Sequence, residues 1–187
     1  MLAHTRAQVD VVLNHRAAVR MSPNSSWWTD FEDPDWGEWA IVKDDWKCHP
    51  EEHLKVCPDN CTCGAADTGE NACYAADIDH TNPAIQADII KWLRWLRTDV
   101  GFDAFRFDNT KGYSGEFTSM YIHATDPVYS VSEFYDSNRA LISGWLDSSG
   151  RYRCCDVTCR ASYSNHNCAL TLITPRSNLK PYTTLKP

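Results

Sequence analysis

The 187-residue chain has no run of 18 or more apolar residues, so no membrane-spanning helix is expected and no membrane partner is implied. It also lacks a basic excess. With 18 Lys+Arg against 25 Asp+Glu, the formal charge is −7, which argues against a general nucleic-acid binder. Met1 to Val9 has His4 and Arg6 but no apolar h-region, so no signal peptide is expected and the compartment stays open. The first strand lies so close to the start that an earlier segment of a longer parent is expected. Apolar residues are not scarce: at 43%, with 23% charged, the balance is that of a globular domain rather than a disordered chain.

What is abundant is tryptophan and cysteine. Of the eight Trp, the spacing of Trp92, Trp95 and Trp145 within helical patterns points to core. Trp27, Trp28, Trp36, Trp39 and Trp46 lie in an acidic, turn-rich stretch, where aromatic faces either pack inward or stack on flat ligands such as sugar rings. The nine Cys fall into two groups, Cys48, Cys57, Cys61, Cys63 and Cys73, then Cys154, Cys155, Cys159 and Cys168. Disulfides, free thiols and a zinc site are all open from spacing alone, although CPDNCTCG is not a paired-CxxC arrangement. An odd count leaves at least one thiol unpaired within the chain.

Val9–Leu13 is a mainly apolar, β-branched run of strand length, which suits a strand buried on both faces in a parallel sheet. Periodicity then vanishes from residue 16 to about 76, amid SPNSS, DPDWG, CPDN and DTGEN turn chemistry. Some 60 structureless residues are implausible in a compact domain, so residues 16–76 are expected to form an inserted irregular subdomain. Beyond it, Asn82-Pro83 supplies a helix start, and Ile85, Ile89, Trp92, Leu93 and Leu96 recur at helical spacing. Phe102–Phe107 predicts a strand, Ser114–Ala124 a helix, Val128–Phe134 a strand and Asn138–Leu146 a helix. Alternation of this kind indicates parallel β/α units. Residues 77–148 would hold these units, residues 1–15 the first strand, and residues 149–187 a poorly ordered Cys-rich tail.

In parallel β/α folds the active site forms at the carboxyl ends of the strands. Those ends carry Asn14 and His15, then Arg106, Asp108, Lys111, Gly112 and Tyr113, then Glu133 and Asp136. Asp108 and Glu133, 25 residues apart, would end neighbouring strands. Two facing carboxylates are what glycosidic cleavage needs, and a separation of about 5 Å gives retention through a covalent intermediate. Arg106, on the same strand face, would keep Asp108 ionised, while Val131 and Phe134 beside Glu133 would favour a proton donor.

DVVLNH, GFDAFRFDNTKGYS and SVSEFYDS resemble the first three conserved regions of the alpha-amylase family of glycoside hydrolases. DWGEWAIVKDDW, DTG and AADIDHTNPAIQADIIKWLRWLRTDVGFDAFRFD resemble its plant and green-algal branch, so the likeness runs from Val9 to Trp145. The resemblance implies an incomplete (β/α)8 TIM barrel of about three strand–helix units, with residues 16–76 as the family's domain B. It implies Asp108 as catalytic nucleophile and Glu133 as general acid/base, with Arg106 positioning the nucleophile. His15 and Lys111 would bind the sugar hydroxyls of an α-1,4-glucan such as starch. It further implies a structural Ca²⁺ held by the side chains of Asn14, Asp67 and Asp77 and the carbonyls of Glu70 and Gly112, all hard oxygens suited to that ion.

The departures are equally specific. Asn71 replaces an acidic residue the family uses for a further Ca²⁺. The family's third carboxylate, on a later strand, has no counterpart, since SNHNC lacks the Asp and any preceding strand. A closed barrel of this type needs about 250 residues, and three strands alone would leave two sheet edges unpaired. The expectation is a partial alpha-amylase-type catalytic domain; the alternative is an inactive Ca²⁺- or glucan-binding fragment of one. Oligomeric state is not legible.

Overall fold

In the computed structural model, the residues described are 5–21, 28–46, 56–57, 62–71, 75–150 and 168–169. Strand β1, Gln8–Val12, opens the chain. Short pieces follow: β2 (His15–Arg16), β3 (Arg20–Met21), β4 (Trp28–Asp30) and β5 (Ala76–Asp77). The regular part is α1 (Pro83–Trp95), β6 (Ala104–Asp108), α2 (Gly115–Thr125), β7 (Tyr129–Ser132), β8 (Tyr135–Asp136) and α3 (Arg139–Ser148). A last short strand, β9, Cys168–Ala169, pairs antiparallel with β8.

Strands β1, β6 and β7 form one parallel sheet in the order β1-β6-β7, with Asp10 opposite Arg106 and Arg106 opposite Val131. The crossovers contain α1 and α2, as parallel neighbours require. Helix α1 starts where the sequence places it: Asn82 Oδ1 accepts from the Ala84 amide at 3.0 Å, and Pro83 sits where no intrahelical donor is needed. It ends in a wider turn over Leu96–Val100, closed by Gly101 at φ +96°, a conformation glycine adopts without strain. Asn138 caps α3 in the same way through the Ala140 amide at 3.0 Å.

One face of the sheet is covered. Val11, Phe105 and Phe107 meet Ile85, Ile89, Leu93 and Leu96 of α1 and its turn, and Phe117, Tyr121 and Ile122 of α2. Phe31, Trp36, Ile41 and Ile78 from the irregular region extend this core. At its centre His80, fully enclosed, accepts from the Tyr121 hydroxyl through Nδ1 at 2.7 Å and donates from Nε2 to the Leu13 carbonyl at 3.1 Å. It stacks on Tyr113 with ring centroids 4.3 Å apart, and burial pushes its pKa down to about 4. A smaller cluster joins Phe134, Ile142 and Trp145.

Among the described residues the opposite face is open: it presents Asp10, Arg106, Asp108 and a half-exposed Val12. Among the described residues, the outer edges of β1 and β7 have no strand partner. Two tryptophans depart from expectation here. Trp92 and Trp95 are 40% and 50% exposed rather than core, whereas Trp145 is buried and donates to the Tyr113 carbonyl at 3.0 Å. Of the tryptophans in the acidic stretch, Trp36 is core and Trp28, Trp39 and Trp46 are exposed; Trp27 lies outside the described residues.

The irregular stretch contains two-stranded pairs, β2 with β5 and β3 with β4, and a single turn of 3-10 helix at Glu38–Ala40. Arg16 fastens it. Its guanidinium donates to the carbonyls of Pro34 at 3.2 Å, Asp33 at 3.0 Å and Glu32, and lies over the rings of Phe31 and Trp36. Cys57 and Cys63 form a disulfide. Cys48, Cys61, Cys73, Cys154, Cys155 and Cys159 lie outside the described residues, as does most of the expected tail, including all of SNHNC but its Cys168.

Candidate active site at the strand ends

Parallel pairing of β6 with β7 brings Asp108 and Glu133 to one rim, because Asp108 ends β6 and Glu133 directly follows β7. Backbone bonds fix the second of these. The Glu133 amide donates to the Phe107 carbonyl at 2.9 Å, and its own carbonyl accepts from the Thr110 amide at 2.9 Å and the Thr110 hydroxyl at 2.8 Å. Asn109 makes the turn at φ +46°, a conformation Asn tolerates better than most residues.

Arg106 is the hub. Its Nη1 lies 2.6 Å from Asp108 Oδ1 and 2.6 Å from Asp10 Oδ2, and its Nη2 lies 2.8 Å from Glu133 Oε2. The hydrogen bond to Asp10 is the largest influence holding the guanidinium charged, with its pKa raised. Glu133 thus sits on a cation rather than in the apolar setting expected from its neighbours. Phe134 turns the other way, into the cluster with Ile142 and Trp145. Asp10 escaped the sequence reasoning, because its place opposite Arg106 is set by the register of β1 on β6.

His15 is half-buried at the start of β2, just after β1, and lies opposite Asp77 of β5. Desolvation lowers its pKa, and the negative charge of Asp108 partly offsets this, which places His15 within electrostatic reach of that carboxylate. A cavity of about 300 Å³ beside it is lined by Leu13, Arg16, Trp36 and Trp92, among others. Lys111 is held by two carboxylates, Asp136 at 2.8 Å and Glu70. Those contacts, Asp136 first, raise the Lys111 pKa, and the bond from Lys111 lowers that of Asp136.

The expected cation ligands converge in part. Asn14 and Asp77 are both buried and joined by a 2.8 Å bond from Asn14 Nδ2 to Asp77 Oδ1. Gly112 is pressed against Asn14 so closely that a Cβ there would fall 1.8 Å from Asn14 Oδ1. Gly69 lies equally close to the backbone of Gly112 and Tyr113, and the Glu70 amide donates to the Lys111 carbonyl at 3.0 Å. The DTG turn is thereby docked on the strand-end loop. Asp67 caps that turn, its Oδ1 accepting from the Gly69 amide at 3.1 Å, and burial raises its pKa.

One carboxylate here was missed altogether. Asp45 is almost fully buried; its Oδ2 accepts from the Asp77 amide at 3.1 Å, and burial, with smaller repulsion from Asp67 and Asp44, pushes its pKa up to about 7. Asn14 Oδ1 and Asp45 Oδ1 are buried without a hydrogen-bond partner among the described residues. Orphaned buried oxygens of this kind call for an occupant, and oxygen donors suit a hard cation. Among the described residues, no three His, Cys, Asp or Glu side chains are gathered as a ready metal cluster. The expected set mixes carboxylates with an amide and backbone carbonyls, so the orphaned oxygens are the stronger sign.

A parallel α/β sheet with acidic and basic side chains at its strand ends is the frame of many enzymes, and comparison narrows it. The fold matches that of an alpha-amylase from Malbranchea cinnamomea, with a TM-score of 0.53 and 19% identity, over 76% of this chain and 28% of that one. In sequence the chain is similar to the probable alpha-amylase 2 of Arabidopsis thaliana, 32% identical over 162 residues, covering 78% of this chain and 35% of the relative. It is also 32% identical over 128 residues to the chloroplastic alpha-amylase 3 of the same plant, covering 68% of this chain and 13% of that protein. No family model matches. The resemblance to plant alpha-amylases is therefore shown, and it is partial: the chain spans about a third of the first relative's length.

Proposed function

We propose that the chain is part of the catalytic domain of an alpha-amylase-type retaining glycoside hydrolase acting on α-1,4-glucosidic bonds of starch-like glucans. Residues 1–15 and 77–148 would be units of a (β/α)8 barrel and residues 16–76 its domain B. The observation that carries the proposal is the Arg106 hub, whose contacts with both Asp108 and Glu133 hold two carboxylates at one strand-end rim.

In this mechanism Asp108, held in place by its ion pair with Arg106, attacks the anomeric carbon while Glu133 gives a proton to the departing glycosidic oxygen. Glu133 then takes a proton from water as water displaces Asp108, and the configuration is retained. Arg106 serves both steps by fixing the carboxylates relative to each other. His15 and Lys111 bind hydroxyls of the sugar. Asn14, Asp67, Asp77 and the carbonyls of Glu70 and Gly112, with Asp45 in addition, would hold Ca²⁺, supported by the buried Asn14 Oδ1 and Asp45 Oδ1, which lack hydrogen-bond partners among the described residues. A bound Ca²⁺ supplies positive charge against the mutual repulsion of these carboxylates.

The test is hydrolysis of soluble starch, with the anomeric form of the first product followed by NMR. Retention in the parent protein and loss of activity in Asp108→Asn are expected; unchanged turnover in that variant would overturn the assignment. A second reading, glucan binding without turnover, draws on the open sheet face. It predicts binding without hydrolysis, and binding that survives Asp108→Asn.

A further inference from the structure

Lys111 is the one proposed sugar-binding cation on the rim held by two carboxylates from different parts of the chain. Its ammonium contacts Glu70, in the irregular region, and Asp136, the last residue of β8. The two partners differ in setting. The Asp136 side chain is 11% exposed and accepts in addition from the Asn138 amide at 2.6 Å, so it is fixed by its own turn. The Glu70 side chain is 59% exposed, and no further bond to its carboxylate is seen among the described residues. Its backbone, by contrast, is pinned by the bond to the Lys111 carbonyl and by the close approach of Gly69 to Gly112.

We propose that Glu70 is a specificity-determining gate on Lys111, anchored through Asp136, and that a neutral glucan hydroxyl must displace the Glu70 carboxylate to reach the ammonium. The proposal rests on the assignment of Lys111 to sugar binding. Glu70 is the displaceable partner because an exposed ion pair contributes little and is screened by salt. Asp136 is the anchor because its geometry is set by the start of α3. Two consequences distinguish the gate from an ordinary surface pair. Glucan affinity should rise with ionic strength although the ligand is uncharged, and removing the Glu70 charge should abolish that dependence.

The experiment uses the full chain, with Glu70→Gln, Asp136→Asn and Lys111→Met as variants and maltoheptaose as the probe. Affinity is measured by calorimetry at low and high salt, and acetylation of Lys111 by acetic anhydride is followed by mass spectrometry. Glu70→Gln is expected to bind roughly three- to tenfold tighter than the parent at low salt, without salt dependence, and to be acetylated faster at Lys111. Asp136→Asn is expected to bind more weakly, and Lys111→Met weakest. If Glu70→Gln binds like the parent while Lys111→Met binds more weakly, the gate is wrong and the sugar-binding assignment stands. Unchanged affinity in Lys111→Met refutes the assignment of Lys111 and the gate together. No binding by parent or Glu70→Gln refutes the glucan reading and the gate with it. An unchanged acetylation rate in Glu70→Gln means that the carboxylate does not hold Lys111, which also overturns the gate.

Discussion

The two faces of the β1-β6-β7 sheet are made of alternate residues of the same strands, yet they behave as different materials. On the helix-covered face, Val11, Phe105 and Phe107 are sealed against α1 and α2, and burial at the centre favours the neutral form of His80. On the open face, Asp10, Arg106 and Asp108 stand in a partly solvated row, extended by Glu133 at the rim. Stability should reside on the first face and chemistry on the second. A two-residue period is what allows one strand to serve both.

The largest expected effect that tests this division is on the covered side. Leu93→Ala, at a fully enclosed position, should cost about 2–5 kcal/mol in a denaturant melt. A loss well below that range would mean that the covered face is not the main core.

Next comes acid sensitivity. A free His titrates near 6.5, and His80 in the folded chain near 4, so the unfolded chain takes up a proton first as pH falls. Stability contributed by neutral His80 is therefore whole above about pH 6.5, falls between there and about pH 4, and reaches a loss of roughly 3 kcal/mol. Denaturant midpoints measured over that interval for the parent and for His80→Gln should converge as pH falls; parallel curves would sink this account of His80.

A smaller effect concerns the junction of the two regions. If Asn14, Asp45 and Asp77 hold Ca²⁺, a free concentration of 100 times Kd should raise stability by about 2.7 kcal/mol. Asp45→Asn should shrink that gain. A melt indifferent to Ca²⁺ and chelator would remove the cation from the account. The smallest effect is at the helix starts: Asn82→Ala should cost about 1 kcal/mol and leave the rim untouched, and an unchanged melt would mean that the Asn82 cap contributes nothing.

The covered face was the legible one. Apolar runs, helical spacing and the Asn82 cap place the strands and helices within a few residues, because these signals are local. Trp92 and Trp95 were misjudged because helical spacing identifies a face without showing whether a further layer packs on it. At the rim, Asp108, Glu133 and Arg106 could be grouped from strand ends alone. Asp10 and Asp45 could not: their partners are set by strand register and by a fold-back between residues 32 apart. The same holds for Lys111, whose two carboxylates come from opposite sides of it in the chain.

The central claim is that the open face carries the chemistry while contributing little to the fold. Arg106→Met tests it most directly, read by starch hydrolysis and by a denaturant melt on the same preparation. The account predicts a fall in hydrolysis on the order of 100-fold or more, consistent with the loss of a group that positions both the acid and the nucleophile. Stability should change by no more than roughly 1 kcal/mol, as for partly exposed ion pairs. Hydrolysis that persists, or an unfolding midpoint that drops as far as that of Leu93→Ala, would contradict it.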